Sequence, residues 1–367
     1  MDDLAAALRR AHPELEAVRE TAAEPVYLVG GSVRDLLLAR PRVDLDLVVE
    51  GDAAALARRL GGAHVEHERF GTVKVEVEGH EVDIASARRE SYPEPGALPV
   101  VELGATLEED LGRRDFTINA IAVPLLGEPR LIDPFGGRGD ISRGQLRILH
   151  PRSFHDDPTR AIRAARYAAR FGFDPEPETE RALRGTDLGA VSEDRRHAEL
   201  IRLAGEASAP RGFELLAGWG LVRLREAGAE LAARVLELLS TEPWRGMVEP
   251  ASALLAAALG PEGEEMALAR RRPQRPSEAV ELARRRPQLE LLLARAHGAE
   301  WLDRYQLEWS RVETEINGAD LIAAGAPRGP ALGRGLEAAL RAKLDGEAAG
   351  REQELEAALA AVRETPS

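Results

Sequence analysis

The chain has no cysteine, so it can form no disulfide and offers no thiolate to a metal. Aromatic residues make up only 4% of it, and leucine and alanine are abundant instead. Lysine is almost missing: Lys74 and Lys343 are the only two, so 47 of the 49 basic residues are arginine. With so much alanine, glycine and proline, this usage fits a GC-rich genome, and an arginine excess also accompanies some thermostable proteins. No apolar run is long enough to cross a bilayer; "ASALLAAALG" (251–260) is among the longest. The opening "MDDLAAALRRAHPELEAV" is acidic at its start and reads as an amphipathic helix, without the basic flank and long apolar core of a signal peptide. These absences predict a soluble, cytoplasmic protein. A net charge of −14 weighs against broad nucleic-acid binding but leaves room for a local basic groove.

At 367 residues the chain has room for two or three domains. "VYLV" (26–29) predicts a short buried strand, and "GGSVRDLLLAR" a glycine turn opening a helix. "VDLDLVV" predicts the next strand, and "DAAALARRLGG" a helix with Asp52 as N-cap. "TVKVEVEG" and "HEVDIASAR" alternate apolar and polar residues and predict a hairpin. "SYPEPGALPVVELG" reads as a Pro/Gly loop, and "LEEDLGRRDFTINAIAVPL" runs from a helical start toward another strand. After "IDPFGGRGD" the pattern turns helical, with "RRRPQRP" (270–276) and "RRRPQ" (284–288) as basic turns between helices. The expected class is α+β: a mixed-sheet head over residues 1–142, a helical neck over 143–205, and a helical body and tail over 206–367.

"DLDLVVEGD" (44–52) puts Asp44 and Asp46 on alternate positions of an apolar, β-branched run, so both carboxylates leave one face of a strand. Like charges repel there, and Asp disfavours strands; a hard divalent cation, which takes oxygen ligands, would offset the repulsion. Asp83 in "EVDIAS" is a third acid in an apolar strand. Three acids beside a phosphate-binding turn suit metal-assisted phosphoryl or nucleotidyl transfer. A solvated edge strand is the plainer reading, and the flanking "LVV" argues against it. Gly30 and Gly31 let a ligand approach the backbone, the helix start favours phosphate and Arg34 adds a cation, although two glycines alone mark no more than a tight turn. "RRDFTINA" (113–120) sets Arg113, Arg114, Asp115 and Asn119 against an apolar stretch, which points the polar set toward a cleft. In "HDDPTRAIRAARYAARFGF" (155–173), Asp157, Arg160, Arg163 and Arg166 recur at steps of three and predict one ridge of a helix. A carboxylate beside a guanidinium can read cytosine or adenine, each of which sets an amino group beside an acceptor. A salt-bridged amphipathic helix is the commoner explanation of such a pair.

Taken in order, "VGGSVRD", "DLDLVV", "RRDFTINA", "DPFGGRGD", "DDPTRAIRAARY" and "SEDRRHAEL" resemble the class II tRNA nucleotidyltransferase and bacterial poly(A) polymerase family over about residues 26–200. "INGADLIAAGAPRGPALGRGLEAAL" (316–340) resembles the helical C-terminal region of such enzymes. The resemblance implies magnesium on Asp44 and Asp46 and the nucleotide triphosphate on Gly30, Gly31 and Arg34. It implies nucleotide contacts from Arg114, with Asp115 and Asn119 as helpers, and a protein template for the base in Asp157 and Arg160. Arg163 and Arg166 correspond to further nucleotide contacts, and Asp83 is a candidate ligand or base. Asp156 stands where many relatives have Glu. "SEDRRHAEL" matches a structural neck motif through Asp194, Arg195 and Glu199.

The activity implied is addition of CMP and AMP to the 3′ end of tRNA, as the whole CCA or its terminal A, with release of pyrophosphate. The partners implied are tRNA, ATP and CTP, with no membrane and no obligate protein partner. A poly(A) polymerase is one alternative, and "HERFGTVKVEV" departs from the G-R-[RK]-F-type stretch usual in those relatives. A non-catalytic RNA-binding relative is another, against which the intact acid pair speaks. CC-only relatives tend to lose a flexible loop before the RRD motif. The long "RRESYPEPGALPVVELGATLEEDLG" here implies a capacity to add A, and A-only addition stays open.

Overall fold

The computed structural model describes residue 8 and residues 12–40, 45–61, 64–67 and 70–363. Asp44 and most of the opening amphipathic stretch therefore lie outside the described residues. The chain divides into two compact units, Met1–Arg223 and Leu224–Ser367.

The first unit begins with α1 (Leu15–Thr21), β1 (Val26–Val29), α2 (Gly31–Leu37), β2 (Asp46–Val49), α3 (Ala53–Leu60) and β3 (His64–His67). It continues through β4 (Thr72–Val77), β5 (His80–Ser86), β6 (Arg88–Ser91), β7 (Val100–Leu103), α4 (Leu107–Gly112) and β8 (Ala122–Pro124). After these come α5 (Gly137–Arg143), β9 (Gln145–Leu146), α6 (Ser153–Asp156), α7 (Thr159–Phe171) and β10 (Asp174–Pro175), then α8 (Pro177–Arg184), α9 (Glu193–Ala204) and α10 (Ala209–Gly218).

The main sheet runs β3-β4-β5-β2-β1-β8 and is mixed: β2 and β5 are parallel, and the other pairs are antiparallel. Strand side chains alternate faces, and the apolar ones sort accordingly. Leu28, Leu47, Val49, Val73, Val75, Val82 and Ile84 pack with Leu15 and Val18 of α1 and Leu56 and Ala57 of α3. Val29 and Val48 face the other way, onto Ala105, Leu107, Leu111 and Ala120. Asp46 and Asp83 sit on this second face, as register partners across the parallel pair.

The expected hairpin is β4–β5, turned through Glu78 and Gly79, which both have positive φ as a tight two-residue hairpin loop requires. Asp52 caps α3, its Oδ1 accepting from Ala54 N at 2.9 Å. Two expectations need correction. The stretch read as a Pro/Gly loop contains a strand, because "VVEL" of β7 pairs antiparallel with β6 and leaves only 92–99 as the loop. The single basic ridge is also broken. Asp157 is extended (φ −136°, ψ 93°) between α6 and α7, because Pro158 disfavours a helical conformation in the residue before it.

The second unit is helical: α11 (Gly228–Leu239), α12 (Pro250–Leu259), α13 (Glu264–Ala269), α14 (Pro276–Ala283), α15 (Gln288–Ala296), α16 (Trp301–Leu307), α17 (Gly318–Ala323), α18 (Pro330–Leu344) and α19 (Arg351–Arg363). Ile316, Leu321, Ala326, Ala339 and Ala358 form the core of its last three helices. The basic turns fall between α13, α14 and α15, as expected. Several of their arginines are neutralised within the unit: Arg275 pairs with Glu347 at 3.0 Å and Arg284 with Glu337 at 2.8 Å. Among the described residues, no helix is long and apolar enough to cross a membrane.

Candidate active site

β1 ends at a turn that only glycine suits. Gly30 has φ +67°, and a Cβ there would sit 2.7 Å from Nη1 of Arg114. Cβ atoms at Gly30 or Gly31 would each lie 3.8 Å from Oδ2 of Asp46, so the first residue of β2 faces the turn. Ser32 fixes that approach by accepting from Asp46 N at 3.0 Å.

Behind the turn runs a buried polar chain. Arg34 donates to Asn119 Oδ1 (2.6 Å) and Asp35 Oδ1 (2.8 Å), and its guanidinium lies over the rings of Tyr167 and Phe171. Asn119 donates to Asp115 Oδ1 at 2.9 Å. Oδ2 of Asp115 accepts from Arg163 Nε (2.9 Å) and Nη2 (2.6 Å). Burial alone would raise the Asp115 pKa, but Arg163, Asn119 and Arg160 hold it down to about 2. The chain thus ties α2, the 3₁₀ turn Thr117–Asn119 and α7 together.

A second carboxylate orders the two arginines of the RRD motif. Asp110 on α4 is fully buried; Oδ1 accepts from Arg113 Nε (2.9 Å) and Nη2 (2.7 Å), and Oδ2 from Arg114 Nη2 (3.0 Å). Burial would raise its pKa, yet Arg114 and Arg113 keep it below the ordinary value. The "DPFGG" stretch supports the same loop. A Cβ on Gly137 would come within 2.1 Å of Thr117 O, so α5 packs directly on the backbone of "FTIN".

Arg160 is 5% exposed and binds inward, to Arg113 O (2.8 Å), Arg114 O (3.2 Å), Ser153 Oγ (2.9 Å) and Tyr92 Oη (3.3 Å). Asp157 Oδ1 accepts from Arg195 (3.0 Å) and from Thr159 N and Oγ1 (3.1 and 2.7 Å). Arg195 also reaches Gly96 O at 2.6 Å, so the 92–99 loop docks on this junction.

These groups line one cavity of about 610 Å³, within the range of small-molecule sites. It gathers Gly30, Gly31, Arg34, Asp46, Arg114, Asp115, Asn119, Asp157, Arg160, Arg163 and Arg166, the sequence candidates that fall on described residues with one exception. That exception is Asp83, which lies outside the lining with its carboxylate 3.4 Å from Lys74 Nζ. Nine arginines and six carboxylates line the cavity, an excess of positive charge in an acidic chain. Sequence reasoning missed Glu90 and Tyr92. Burial, with Glu90 alongside, pushes the Tyr92 phenol up to about 12, so it stays a proton donor at neutral pH. The one local signal for it was an aromatic residue in a chain with few.

Among the described residues, no group of three or more His, Cys, Asp or Glu is gathered as for a metal. Of the described acids, Asp46 offers hard oxygen donors beside the glycine turn, and Asp83 shares its register and sheet face but turns to Lys74. That donor chemistry fits a divalent cation of the magnesium or calcium type.

The family model described as the Poly A polymerase head domain matches residues 26–147. The CC-adding tRNA nucleotidyltransferase of Deinococcus radiodurans is 36% identical over 89% of this chain and 84% of its own length. The chain belongs to the tRNA nucleotidyltransferase family. Within that family it is also similar to the A-adding tRNA nucleotidyltransferase of Halalkalibacterium halodurans, at 43% identity over 52% of this chain and 48% of the relative. The matched region thus spans about half the length of such A-adding relatives. The solved structure of the Thermotoga maritima CCA-adding enzyme complexed with tRNA_CCA superposes with a TM-score of 0.77 at 26% identity, covering 98% of each chain.

Proposed function

We propose that the protein adds CMP and AMP to the 3′ end of tRNA, drawing on CTP and ATP and releasing pyrophosphate. The observation that carries this reading is the single cavity in which the glycine turn and Asp46 share walls with Arg114, Asp157 and Arg160. A nucleoside triphosphate needs both ends of such a cleft: cations and backbone for its phosphates, and a matched donor–acceptor pair for its base.

In this reading Gly30 and Gly31 let the triphosphate lie against the backbone. Arg114, whose Nη1 already covers Gly30, and Arg34 balance its charge. Asp115 and Asn119 hold Arg163 and Arg34 in place, and Arg163 and Arg166 extend the cationic wall. Asp157 accepts the amino proton of cytosine or adenine while Arg160 donates to the neighbouring acceptor. Asp46, with Asp44, would hold magnesium, which when bound would acidify the primer 3′-hydroxyl and neutralise the departing pyrophosphate. Asp83, paired with Lys74 outside the cavity lining, would act only from the neighbouring strand as a ligand or base. That hydroxyl attacks the α-phosphorus, and no nucleic-acid template is used. Residues 1–142 act as the catalytic head, 143–205 as the neck that carries the base reader, and 206–367 hold the tRNA body, in the cytoplasm.

The test offers labelled CTP or ATP, singly and together, to tRNA ending before CCA, tRNA ending in CC, and a random RNA. Incorporation confined to the tRNAs is expected. Long A tails on the random RNA would favour a poly(A) polymerase, and no incorporation anywhere would refute the reading.

A further inference from the structure

The cationic lining does not stop at the cleft. A second cavity of about 540 Å³ adjoins it, lined by Arg40, Arg166, Arg170 and Arg202 with Glu206 as its single carboxylate. Arg166, Arg170 and Arg202 line both cavities, so the two form one continuous groove. Arg163, Arg166 and Arg170 follow one face of α7 at i, i+3 and i+7, a span of about 10 Å. Phe171 orders the far end: the Arg40 guanidinium lies 4.9 Å from its ring centroid and that of Arg170 lies 5.4 Å away. Arg40 further donates to Arg170 O at 3.1 Å. Arg170 shares its charge with Glu206 at 3.4 Å and Asp35 at 4.0 Å, and Arg202 pairs with Glu199. Among the described residues, Arg40 and Arg166 form no ion pair, and Arg166 Nε is buried without an acceptor.

We propose that this arginine groove binds the sugar–phosphate backbone of the RNA strand as it enters the cleft. The proposal rests on reading the cleft as the site of nucleotide addition to RNA, and it assigns the approach path of the primer. The glycine turn, Asp46 and the Asp157–Arg160 pair line only the first cavity, so the incoming nucleotide is held there. The groove sets Arg40 and Arg166, unpaired among the described residues, beside the paired Arg170 and Arg202 and has no base-reading pair, which suits phosphates and carries no sequence information. Planar guanidinium groups stacked on an aromatic ring are pre-ordered for phosphodiester oxygens. An overall charge of −14 repels RNA elsewhere on the surface and makes such a strip the point of capture.

Arg40 is exposed and lines only the groove, which makes it the residue to change in the full chain. For Arg40→Ala the KM for tRNA is expected to rise about three- to tenfold, with KM for the nucleotide and kcat unchanged. Arg40→Glu should raise it further and Arg40→Lys should restore most of it. In filter binding of tRNA without nucleotide, the slope of log affinity against log salt should fall by about 0.7 for Arg40→Ala, the loss of one phosphate contact on a single strand. Unchanged tRNA affinity and slope in Arg40→Glu would overturn the proposal. So would a rise confined to the nucleotide KM, which would assign the groove to nucleotide phosphates. If the wild type incorporates nothing, the activity reading fails, and the filter-binding arm still decides the groove.

Discussion

Asp115→Asn removes one charge from the polar chain that joins the glycine turn to α7 while keeping the side chain's size. In the native protein Asp115 is 6% exposed and titrates at about 2, against an ordinary value of 3.8. Its native pKa is the lower one, so ionisation stabilises the fold. That contribution is complete above the unfolded value and is lost as pH falls through the native one. The difference amounts to about 2 kcal/mol at pH 7 and about 1 kcal/mol at pH 3. An amide can accept from Arg163 with its oxygen, but it leaves the half-buried guanidinium with only Glu199, 3.9 Å away, as counter-ion. The destabilisation at pH 7 should therefore reach about 2–4 kcal/mol. Urea unfolding of wild type and variant at a series of pH values measures it. Acid destabilisation from other carboxylates cancels in the difference between the two. That difference should shrink by about 1 kcal/mol on going from pH 7 to pH 3. A difference that stays constant with pH would show that shape or hydrogen-bond geometry, and not the Asp115 charge, stabilises the chain, and the reasoning would fail.

Asp44→Ala and Asp46→Ala should each lower incorporation by at least about a thousandfold with melting curves unchanged, since a bound cation is worth several kcal/mol to the transition state; near-normal turnover by either would remove that acid from the mechanism. Gly30→Ala should raise the nucleotide KM and cost about 1 kcal/mol or more of stability, because φ +67° and the 2.7 Å approach of Arg114 both exclude a Cβ; thermal melts beside initial rates test both halves. Asp157→Ala should reduce the ratio of ATP to UTP incorporation by about ten- to hundredfold, and should also cost about 1 kcal/mol through the lost cap on Thr159; equal slowing of all four nucleotides would make Asp157 a brace for Arg195 alone.

The parts of the site that were legible in the sequence are those whose signal is local. "VYLVGGSVRD" encodes a strand, a turn and a helix within ten residues, and the alternation in "TVKVEVEG" and "HEVDIASAR" fixes faces by period alone. The alternation of acids in the apolar strand was local too, but the pairing of Asp46 with Asp83 across β2 and β5 was not. What was not legible depends on pairing over distance. β7 was hidden because its partner β6 lies across the Pro/Gly segment 92–99, and that segment dominates any short window. Tyr92 gained its place from Arg160, 68 residues away, which no spacing rule connects. The break before α7 was readable in principle, because Pro158 constrains Asp157, but the i, i+3 recurrence of charges was the louder pattern.

That break changes what Asp157 and Arg160 are to each other. On one helical ridge they would be neighbours able to neutralise one another, and an ion pair would be the whole explanation of the motif. The structure separates their partners. Asp157 turns to Arg195 and to the first turn of α7, while Arg160 turns to the carbonyls of Arg113 and Arg114. Each is oriented by a different element, α9 for one and the RRD loop for the other, and both still line the cavity. Arg160 spends Nη1 and Nη2 on protein acceptors and Asp157 spends Oδ1, so Nε of the one and Oδ2 of the other are the atoms left to a third group, which two side chains satisfying each other would not leave. The carbonyls that Arg160 binds belong to the arginines that Asp110 orders, so the base-reading end and the phosphate end of the cleft share one buried framework. A change at Asp110 should therefore disturb nucleotide affinity and base choice together, whereas a change at Arg195 should reach base choice first.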